Sequence, residues 1–349
     1  MRSPLNQRIA ILLHEGITGT QGKTGLSLLR YSESPIVALI DRESAGKSLL
    51  ELTGIKRDVP IVASLTAALE YQPEVLVIGI APKGGALPDD YWLEIKNALQ
   101  AGMSLVNGLH TPLADIPELN TLLKPGQLIW DVRKEPANLG VASGLAQTLP
   151  CRRVLTVGTD MAIGKMSTSL ELHRESRRRG WRSKFLATGQ TGVMLAGDGV
   201  PLDAVRVDFA AGAVEQMVMR YGQNYDILHI EGQGSLLHPG STATLPLIRG
   251  SQPTQLILAH RARQVHVRNH SHVLIPSLLK VIRLYETVAS AEGAFGNVPV
   301  VGIALNTADL DEFTAQEAIA QTTAETGLPC NDVVRFGASV LLDAIMSNS

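Results

Sequence analysis

The stretch VGTDMAIGKMSTS at residues 157–169 combines the residue types that bind phosphate groups. Gly158, Gly164 and Lys165 stand between an apolar, strand-like run and the helix-like segment SLELHRESRRRG. Glycines let backbone N–H groups approach phosphate oxygens, a lysine reaches the terminal phosphates, and a helix N-terminus attracts negative charge. The pattern therefore predicts a phosphate-binding loop, with Lys165 as a catalytic candidate that stabilises developing charge.

The same loop departs from the standard phosphate-binding motif at the position that binds magnesium. Five residues, not four, separate its two glycines, and Met166 replaces the usual Ser or Thr. Ser167 or Thr168 could supply the hydroxyl instead. We favour Asp160 and Glu231 as magnesium ligands that act mainly through water, because this hard cation often keeps its water ligands.

Three signatures in order resemble those of one P-loop branch, which includes dethiobiotin synthetase and the cobyric acid synthases. The loop is similar to that branch's G-T-D-x-x-x-G-K-T, YDILHIEGQGS to its second signature, and VVGIALN to its late strand. The resemblance implies that Glu231 is a magnesium-associated carboxylate and that Asn306 contacts adenine. The remaining residues that it implies at the nucleotide are Gly158, Thr159, Asp160, Gly164 and Lys165, and we expect Met166 and Ser167, which continue the loop, to lie at the nucleotide as well.

Polar residues close to these signatures are candidates for substrate contact and proton transfer. The segment ATGQTG follows a strand-like run, and ligands bind beyond the carboxyl ends of parallel strands. We therefore expect Thr188, Gln190 and Thr191 to face the substrate. Proton abstraction needs a base in reach of the substrate, and the candidates for this role are Asp208, Glu231 and His238.

A second glycine-rich loop, GITGTQGKTG, lies near the N-terminus. NAD is not expected there, because the glycines do not follow G-x-G-x-x-G even though Asp41 ends the next strand-like run. The loop resembles that of the CoA-binding domain of succinyl-CoA synthetase, and the likeness continues through VPIVASLTAALE, PEVLVIGIAPKGGALPDDY and ALQAGMSLVNGLH. It implies CoA binding by Gly16, Thr18, Gly19 and Gly22. The alternative is a Rossmann-like domain that holds no cofactor and shapes one wall of the active site.

Four histidines lie in the segment HRARQVHVRNHSH. The i, i+4 spacing of His266 and His270 would suit a metal site on a helix. Arg and Asn residues interleave the histidines, however, and no acidic partner is built into the segment. We therefore favour a surface loop or an edge that contacts anions.

Apolar runs that end in Gly or Asp alternate with helix-like stretches along the chain, which predicts an α/β fold with mainly parallel sheets. The chain has 349 residues, and a stretch rich in Gly, Pro and small residues lies at 133–150. We expect two tandem three-layer domains, Rossmann-like at 1–148 and P-loop NTPase-like at 149–349.

The composition indicates which kinds of partner this protein binds. A net charge of −2 with 18% charged residues gives no bias toward nucleic acid or an anionic membrane. No apolar run reaches the ~18 to 20 residues of a membrane span. The two cysteines suit a reducing compartment. We expect a cytoplasmic protein with a small-molecule substrate, and a homo-oligomer is compatible with these data.

The signatures GTDMAIGKM, ATGQTG and EGQGS, with APKGGALP and DVRKEP in the N-terminal half, together resemble a bacterial family of long-uncharacterised proteins. The likeness covers nearly the full chain and includes Met166. It implies D-amino-acid metabolism, with N-acetylation of a small acidic amino acid such as D-glutamate. The expected enzyme is an N-acetyltransferase that uses acetyl-CoA, and its P-loop binds either ATP with Mg²⁺ or the phosphates of CoA.

Two other functions stay open from the sequence. An ATP- and Mg²⁺-dependent ligase of the dethiobiotin-synthetase type would phosphorylate a carboxylate or carbamate, with Lys165 stabilising the transferred phosphoryl group. A nucleotide or CoA sensor would bind its ligand without turnover. Turnover of acetyl-CoA in the absence of ATP distinguishes the acyltransferase from both.

Overall fold

The computed structural model describes residues 4–82 and 87–348. Contacts divide the chain into two compact units, one of Met1–Lys134 with Val193–Pro201 and the other of Glu135–Gly192 with Leu202–Ser349. No pattern in the sequence predicts that residues 193–201 group with the first unit. Part of the APKGGALP signature, residues 83–86, lies outside the described residues.

In its described residues the first unit contains six strands, which are β1 (Ile9–Leu12), β2 (Ile36–Ile40), β3 (Ile61–Val62), β4 (Val75–Ile78), β5 (Ser104–Asn107) and β6 (Ile129–Asp131). They form a parallel sheet in the order β3-β2-β1-β4-β5-β6, which is the Rossmann order. Every residue of β1, β4 and β5 is buried. Because successive strand residues point to opposite faces, both faces of this sheet are covered, as in a three-layer domain.

The helices of the first unit include α1 (Lys23–Tyr31), α2 (Leu49–Thr53), α3 (Leu65–Ala68), α4 (Asp89–Gln100) and α5 (Pro117–Asn120). Short 3₁₀ turns lie at Pro4–Asn6 and Leu69–Tyr71. Helix α1 starts directly after the first glycine-rich loop, with Gly22 as its N-cap. The strand order reverses between β1 and β4, so this loop borders the crevice where ligands bind in such sheets.

The second unit has a six-stranded sheet of its own, formed within the described residues by β7 (Arg152–Gly158), β8 (Ser183–Leu186), β9 (Ile227–Ile230), β10 (Gln255–Arg261), β13 (Val300–Asn306) and β14 (Cys330–Asn331). All its pairings are parallel, in the order β14-β13-β10-β7-β9-β8. Residues 153–158 of β7 are all buried, so this strand also has both faces covered. The carboxyl ends of β7, β9, β10 and β13 therefore meet at one edge of the sheet.

The later helices are α6 (Lys165–Arg178), α7 (Gln190–Ala196), α8 (Val207–Gly222), α9 (Thr244–Ser251), α10 (Leu278–Ser290), α11 (Glu312–Thr326) and α12 (Ser339–Ser347). Leu145–Thr148 and Leu202–Ala204 are 3₁₀ turns. Within the described ranges, no helix combines the length and the apolar character needed to cross a membrane.

A small antiparallel hairpin, β11 (His266–Val267) with β12 (His270–Leu274), follows β10. The helical metal-ligand spacing considered for His266 and His270 therefore does not apply, because the two residues lie on separate strands. The segment for which the sequence favoured a surface loop or an anion-contacting edge forms this hairpin.

The chain segment that connects β6 to β7 contacts α8. Ser143 donates to Glu215 Oε2 from its backbone N–H at 2.7 Å and from its hydroxyl at 3.0 Å. A Cβ at Gly212 would overlap the backbone of Gly140. These contacts explain why the chain from Glu135 onward groups with the second unit.

Candidate active site around the phosphate loop

The phosphate loop connects the central strand β7 to α6. Gly164 is the N-cap of α6 at φ 109°, and Ala162 also has positive φ. The left-handed conformation at Gly164 favours glycine over residues that have a side chain. The turn delivers the backbone N–H groups of the loop and the N-terminus of α6 to one place, which is a preformed anion site.

The alkyl chain of Lys165 runs between two glycines. A Cβ at Gly158 would come within 3.2 Å of Lys165 Cδ, and one at Gly232 within 3.0 Å. The lysine is 6% exposed, and its ammonium group donates to the backbone oxygen of Asp160 at 2.6 Å. Gly232, the first glycine of the EGQGS signature, therefore has no room for a side chain. A Cβ there would crowd Lys165 and overlap the carbonyl oxygen of Thr156.

Asp160 is fully buried, and backbone and side-chain donors surround its carboxylate. Oδ1 accepts from the Met161 N–H at 2.6 Å, and Oδ2 accepts from the side-chain amide of Gln264 and from the Arg268 N–H. Asp160 thus anchors the hairpin that contains β11 and β12 to the phosphate loop. The magnesium ligation expected of Asp160, mainly through water, stays a prediction.

The first turn of α6 offers few oxygen ligands to a cation. Met166 is half-buried at the position where the standard motif has Ser or Thr. The Thr168 hydroxyl donates to the Gly164 carbonyl at 3.0 Å. Ser167, half-buried between them, is the hydroxyl left in this turn. In the described ranges, no group of three or more His, Cys, Asp or Glu residues has the geometry of a metal site.

Glu231 follows β9 and is 3% exposed. Its Oε2 accepts from the backbone N–H groups of Thr188 at 2.8 Å and Gly189 at 3.1 Å, and its Oε1 accepts from the Gln233 amide at 3.2 Å. A Cβ at Gly192 would overlap Oε2. The two glycines of ATGQTG therefore leave room for the Glu231 carboxylate.

The three predicted substrate residues and the predicted base Asp208 lie in different surroundings. Thr188 is fully buried, and its hydroxyl donates to the Glu231 carbonyl at 2.7 Å. Gln190 begins α7 half-buried, and Thr191 beside it is buried. Asp208 is exposed in the first turn of α8, and the described contacts do not join it to the phosphate loop.

Two side chains from distant elements hold the loop in place. The hydroxyl of Tyr285, on α10, donates to the Gly158 carbonyl at 2.7 Å and accepts from the Leu236 N–H at 3.1 Å. Burial raises the pKa of Tyr285, so the hydroxyl stays protonated. Asn306 donates to the Ile163 carbonyl at 3.0 Å, so its amide N–H supports the loop; its expected contact with adenine is untested.

No motif in the sequence indicated Tyr285, and none assigned His260, one of the four histidines of HRARQVHVRNHSH, to this loop. His260 lies on β10 beside the loop. Thr159 Oγ1 lies 2.9 Å from His260 Nδ1. Burial lowers the pKa of His260 to about 4, so the ring is neutral near pH 7. The Thr159 N–H donates to the Ala259 carbonyl, which continues the sheet pairing into the loop.

His238 lies in the loop after EGQGS and is 8% exposed. Its Nδ1 accepts from the Gly240 N–H at 3.0 Å, so the neutral ring has its proton on Nε2. Burial lowers the pKa of His238, and the nearby Asp160 carboxylate acts in the opposite direction. A neutral ring with this tautomer presents a donor at Nε2, whereas a general base would present a lone pair.

A cleft of about 360 Å³ opens beside the phosphate loop. Met161 from the loop tip, Gln233 and Gly234 from EGQGS, and Gly240 to Ala243 form part of its wall. Leu202, Val205, Val207, Ala210 and Pro246 supply apolar surface. The volume and the mixed lining are those of a small-molecule site.

The first glycine-rich loop is packed on itself and on Asp41. The fully buried Asp41 carboxylate accepts from the N–H groups of Glu15 and Ile17 at 3.2 and 3.3 Å. A Cβ at Gly22 would overlap Gly16, and one at Gly19 would overlap the Glu15 carbonyl. Loop packing alone therefore requires all three predicted glycines. Thr18 and Gly19 are exposed at the loop tip.

Two family models match the chain: a Rossmann-like domain of unknown function (DUF1611_N) at residues 42–135, and a P-loop domain of unknown function (DUF1611_C) at residues 140–342. The chain belongs to the DUF1611 family. This confirms the family resemblance and the order of the two domain types. A crystal structure of a DUF1611 family protein from Anabaena variabilis is 82% identical in sequence, with a TM-score of 0.96 over 98% of this chain and 100% of that chain.

Two curated relatives of this DUF1611 chain are named D-glutamate N-acetyltransferase. The relative from Tritonibacter scottomollicae is 38% identical over 78% of this chain and 81% of its own length. The relative from a Pseudoalteromonas species is 36% identical over 82% of this chain and 84% of its own length. The DUF1611 chain is therefore an enzyme, and its relatives support acyl transfer as its class of reaction.

Proposed function

We propose that this enzyme transfers the acetyl group of acetyl-CoA to the amine of a small acidic D-amino acid, with D-glutamate as the substrate. The two relatives, each matched over about four fifths of both chains, support this reaction. The observation that carries the proposal is the phosphate loop, which keeps its glycines and Lys165 but has Met166 at the hydroxyl position. Such a loop suits an anion that is held without being hydrolysed.

The donors of the loop fit the phosphate groups of CoA. The loop backbone, the N-terminus of α6 and the Lys165 ammonium supply N–H groups and positive charge at one place. The same loop fits a magnesium complex of ATP less well, because Asp160 and Thr168 already bind protein groups. We therefore assign the loop to the acyl donor, and CoA binding by the first loop is an alternative assignment.

Acetyl-CoA supplies an acetyl group activated as a thioester. The amino acid must lose a proton from its ammonium group before its nitrogen forms the C–N bond, while the C–S bond breaks and the thiolate takes up a proton. Of the three predicted bases, Asp208 is exposed and His238 presents a donor. We assign the base to Glu231, because Gln233, which binds its Oε1, lines the cleft.

The test is turnover with acetyl-CoA and D-glutamate in a buffer depleted of ATP by a phosphatase. We expect release of free thiol that depends on D-glutamate, with N-acetyl-D-glutamate identified by mass spectrometry and chiral chromatography. Product formation only with ATP and Mg²⁺ would favour the ligase. Binding of acetyl-CoA without product, across a panel of D- and L-amino acids, would favour the sensor.

A further inference from the structure

Three imidazole rings lie in a row beside the phosphate loop. The ring centroids of His238 and His270 are 4.8 Å apart, and those of His270 and His272 are 5.9 Å apart, in edge-to-face arrangements. The rings follow one another and do not surround one point, and they are not among any group of metal ligands in the described residues. We therefore consider a ligand other than a metal ion for this row.

The hairpin fixes this row against the loop. Successive strand residues alternate between faces, so His270 and His272 of β12 share one face. Arg268 and Asn269 form the turn, with Asn269 at φ 63°. The Arg268 N–H donates to the Asp160 carboxylate, so the turn is attached directly to the phosphate loop.

These side chains are donors suited to an anion. His238 presents Nε2–H, since its Nδ1 already accepts from Gly240. His270 is half-buried, whereas His272 and Arg268 are exposed. The phosphate loop has its own donors on a different element, so the hairpin provides a second set.

Among the residues that the structure describes, the wall of the cleft beside the phosphate loop includes the carboxylate of Asp203 and no Lys, Arg or His. The His238 ring packs against Gly240, which lines the cleft, with the ring atom Cε1 3.4 Å from where a Cβ of Gly240 would lie. The row therefore lies close enough to this cleft to offer imidazole N–H donors to an acidic substrate.

We propose that Arg268, His270 and His272, together with His238, form the subsite that binds a carboxylate of the acceptor amino acid. This inference rests on the proposed function for the identity of the substrate. The subsite would select acidic amino acids over neutral ones of the same shape, because a carboxylate oxygen accepts from whichever of these donors it meets, whereas the NH2 group of an amide presents hydrogens to them.

The test compares Arg268→Gln, His270→Asn and His272→Gln with the wild-type enzyme. His266→Gln is the matched control, because His266 is an exposed histidine of the same hairpin. Steady-state kinetics use D-glutamate, D-glutamine and D-glutamate α-amide as acceptors. The two amides show which of the two carboxylates occupies the subsite.

We expect the KM for D-glutamate to rise about 10-fold or more in the Arg268 variant, since hydrogen bonds to charged groups are worth at least this factor. The kcat and the KM for acetyl-CoA should stay within about 2-fold, and the preference for D-glutamate over one amide should fall. The control should match the wild type. A rise in the KM for acetyl-CoA with no change for D-glutamate would overturn the subsite and assign these donors to CoA phosphates.

Binding measured by calorimetry separates this inference from the proposed function. If the wild type does not acetylate D-glutamate, the proposed function fails, and D-glutamate is then titrated into the wild type and the variants. Binding that weakens in the Arg268 and His272 variants but not in the control would still support a carboxylate subsite. Absence of binding, or equal binding in all variants, would overturn it.

Discussion

Replacement of Tyr285 by Phe tests how the fold holds the phosphate loop. The side chain is fully buried, and the substitution removes one oxygen atom with little change in shape. It breaks the 2.7 Å bond to the Gly158 carbonyl and leaves the Leu236 N–H without its acceptor. A lost hydrogen bond reduces stability by about 1 kcal/mol, and an unsatisfied buried donor costs about 1–3 kcal/mol. We therefore expect a loss of about 2–4 kcal/mol.

The assay is calorimetric unfolding, with chemical denaturation as a second measure. For a unit of this size, the expected loss lowers Tm by roughly 4–15 °C. Tyr71→Phe is the matched control, because Tyr71 is 42% exposed, and it should change Tm little. The KM for acetyl-CoA should rise in Tyr285→Phe alone. A Tm shift equal to that of the control, with an unchanged KM, would refute the bracing role of Tyr285.

Three further predictions concern the same unit. In Gly192→Ala the new methyl group overlaps Glu231 Oε2, so we expect kcat to fall at least 10-fold. Gly140→Ala is the control, because a Cβ there meets no atom within 4 Å, and it should keep kcat; equal rates in both variants would remove Glu231 from the reaction. Asp160→Asn removes an acceptor shared by Gln264 and Arg268, so the free energy of unfolding measured in urea should drop by about 2–4 kcal/mol. A change below about 0.5 kcal/mol, which is typical of a surface substitution, would contradict the role of Asp160 in anchoring the hairpin. Burial lowers the pKa of His229 to about 3, so the unfolded chain binds more protons than the folded one between about pH 6.5 and pH 3. In this range the free energy of unfolding should fall by about 1.4 kcal/mol for each pH unit of acidification, and the slope should flatten in His229→Leu.

Local sequence was sufficient to predict the phosphate loop. Its glycines, Lys165 and the strand before it are contiguous, and each has a function that depends on near neighbours. The alternation of apolar runs and helices also predicted two α/β domains with parallel sheets. Strands β3 and β14 have two residues each, which is too short for a periodic pattern to be detected.

Partners that are distant in sequence were not predictable. The donors to Asp160 lie 104 and 108 residues away along the chain, and Tyr285 lies 127 residues from Gly158. Asp160 has the residue type of a metal ligand, and only the fold shows that N–H groups surround it. His270 illustrates the same limit, because the i, i+4 spacing carries meaning on a helix but not on a hairpin.

The central claim is that the phosphate loop binds the acyl donor, and it is tested most directly by calorimetric titration of the wild type and Lys165→Met with acetyl-CoA and with ATP plus Mg²⁺. Methionine keeps most of the alkyl chain that packs between Gly158 and Gly232 and removes the charge. The account predicts that acetyl-CoA binds the wild type and binds the variant about 10- to 150-fold more weakly, as expected for a charged hydrogen bond worth about 1.5–3 kcal/mol. Binding of ATP with Mg²⁺ alone, lost in the variant, or acetyl-CoA binding that is equal in both proteins, would contradict it.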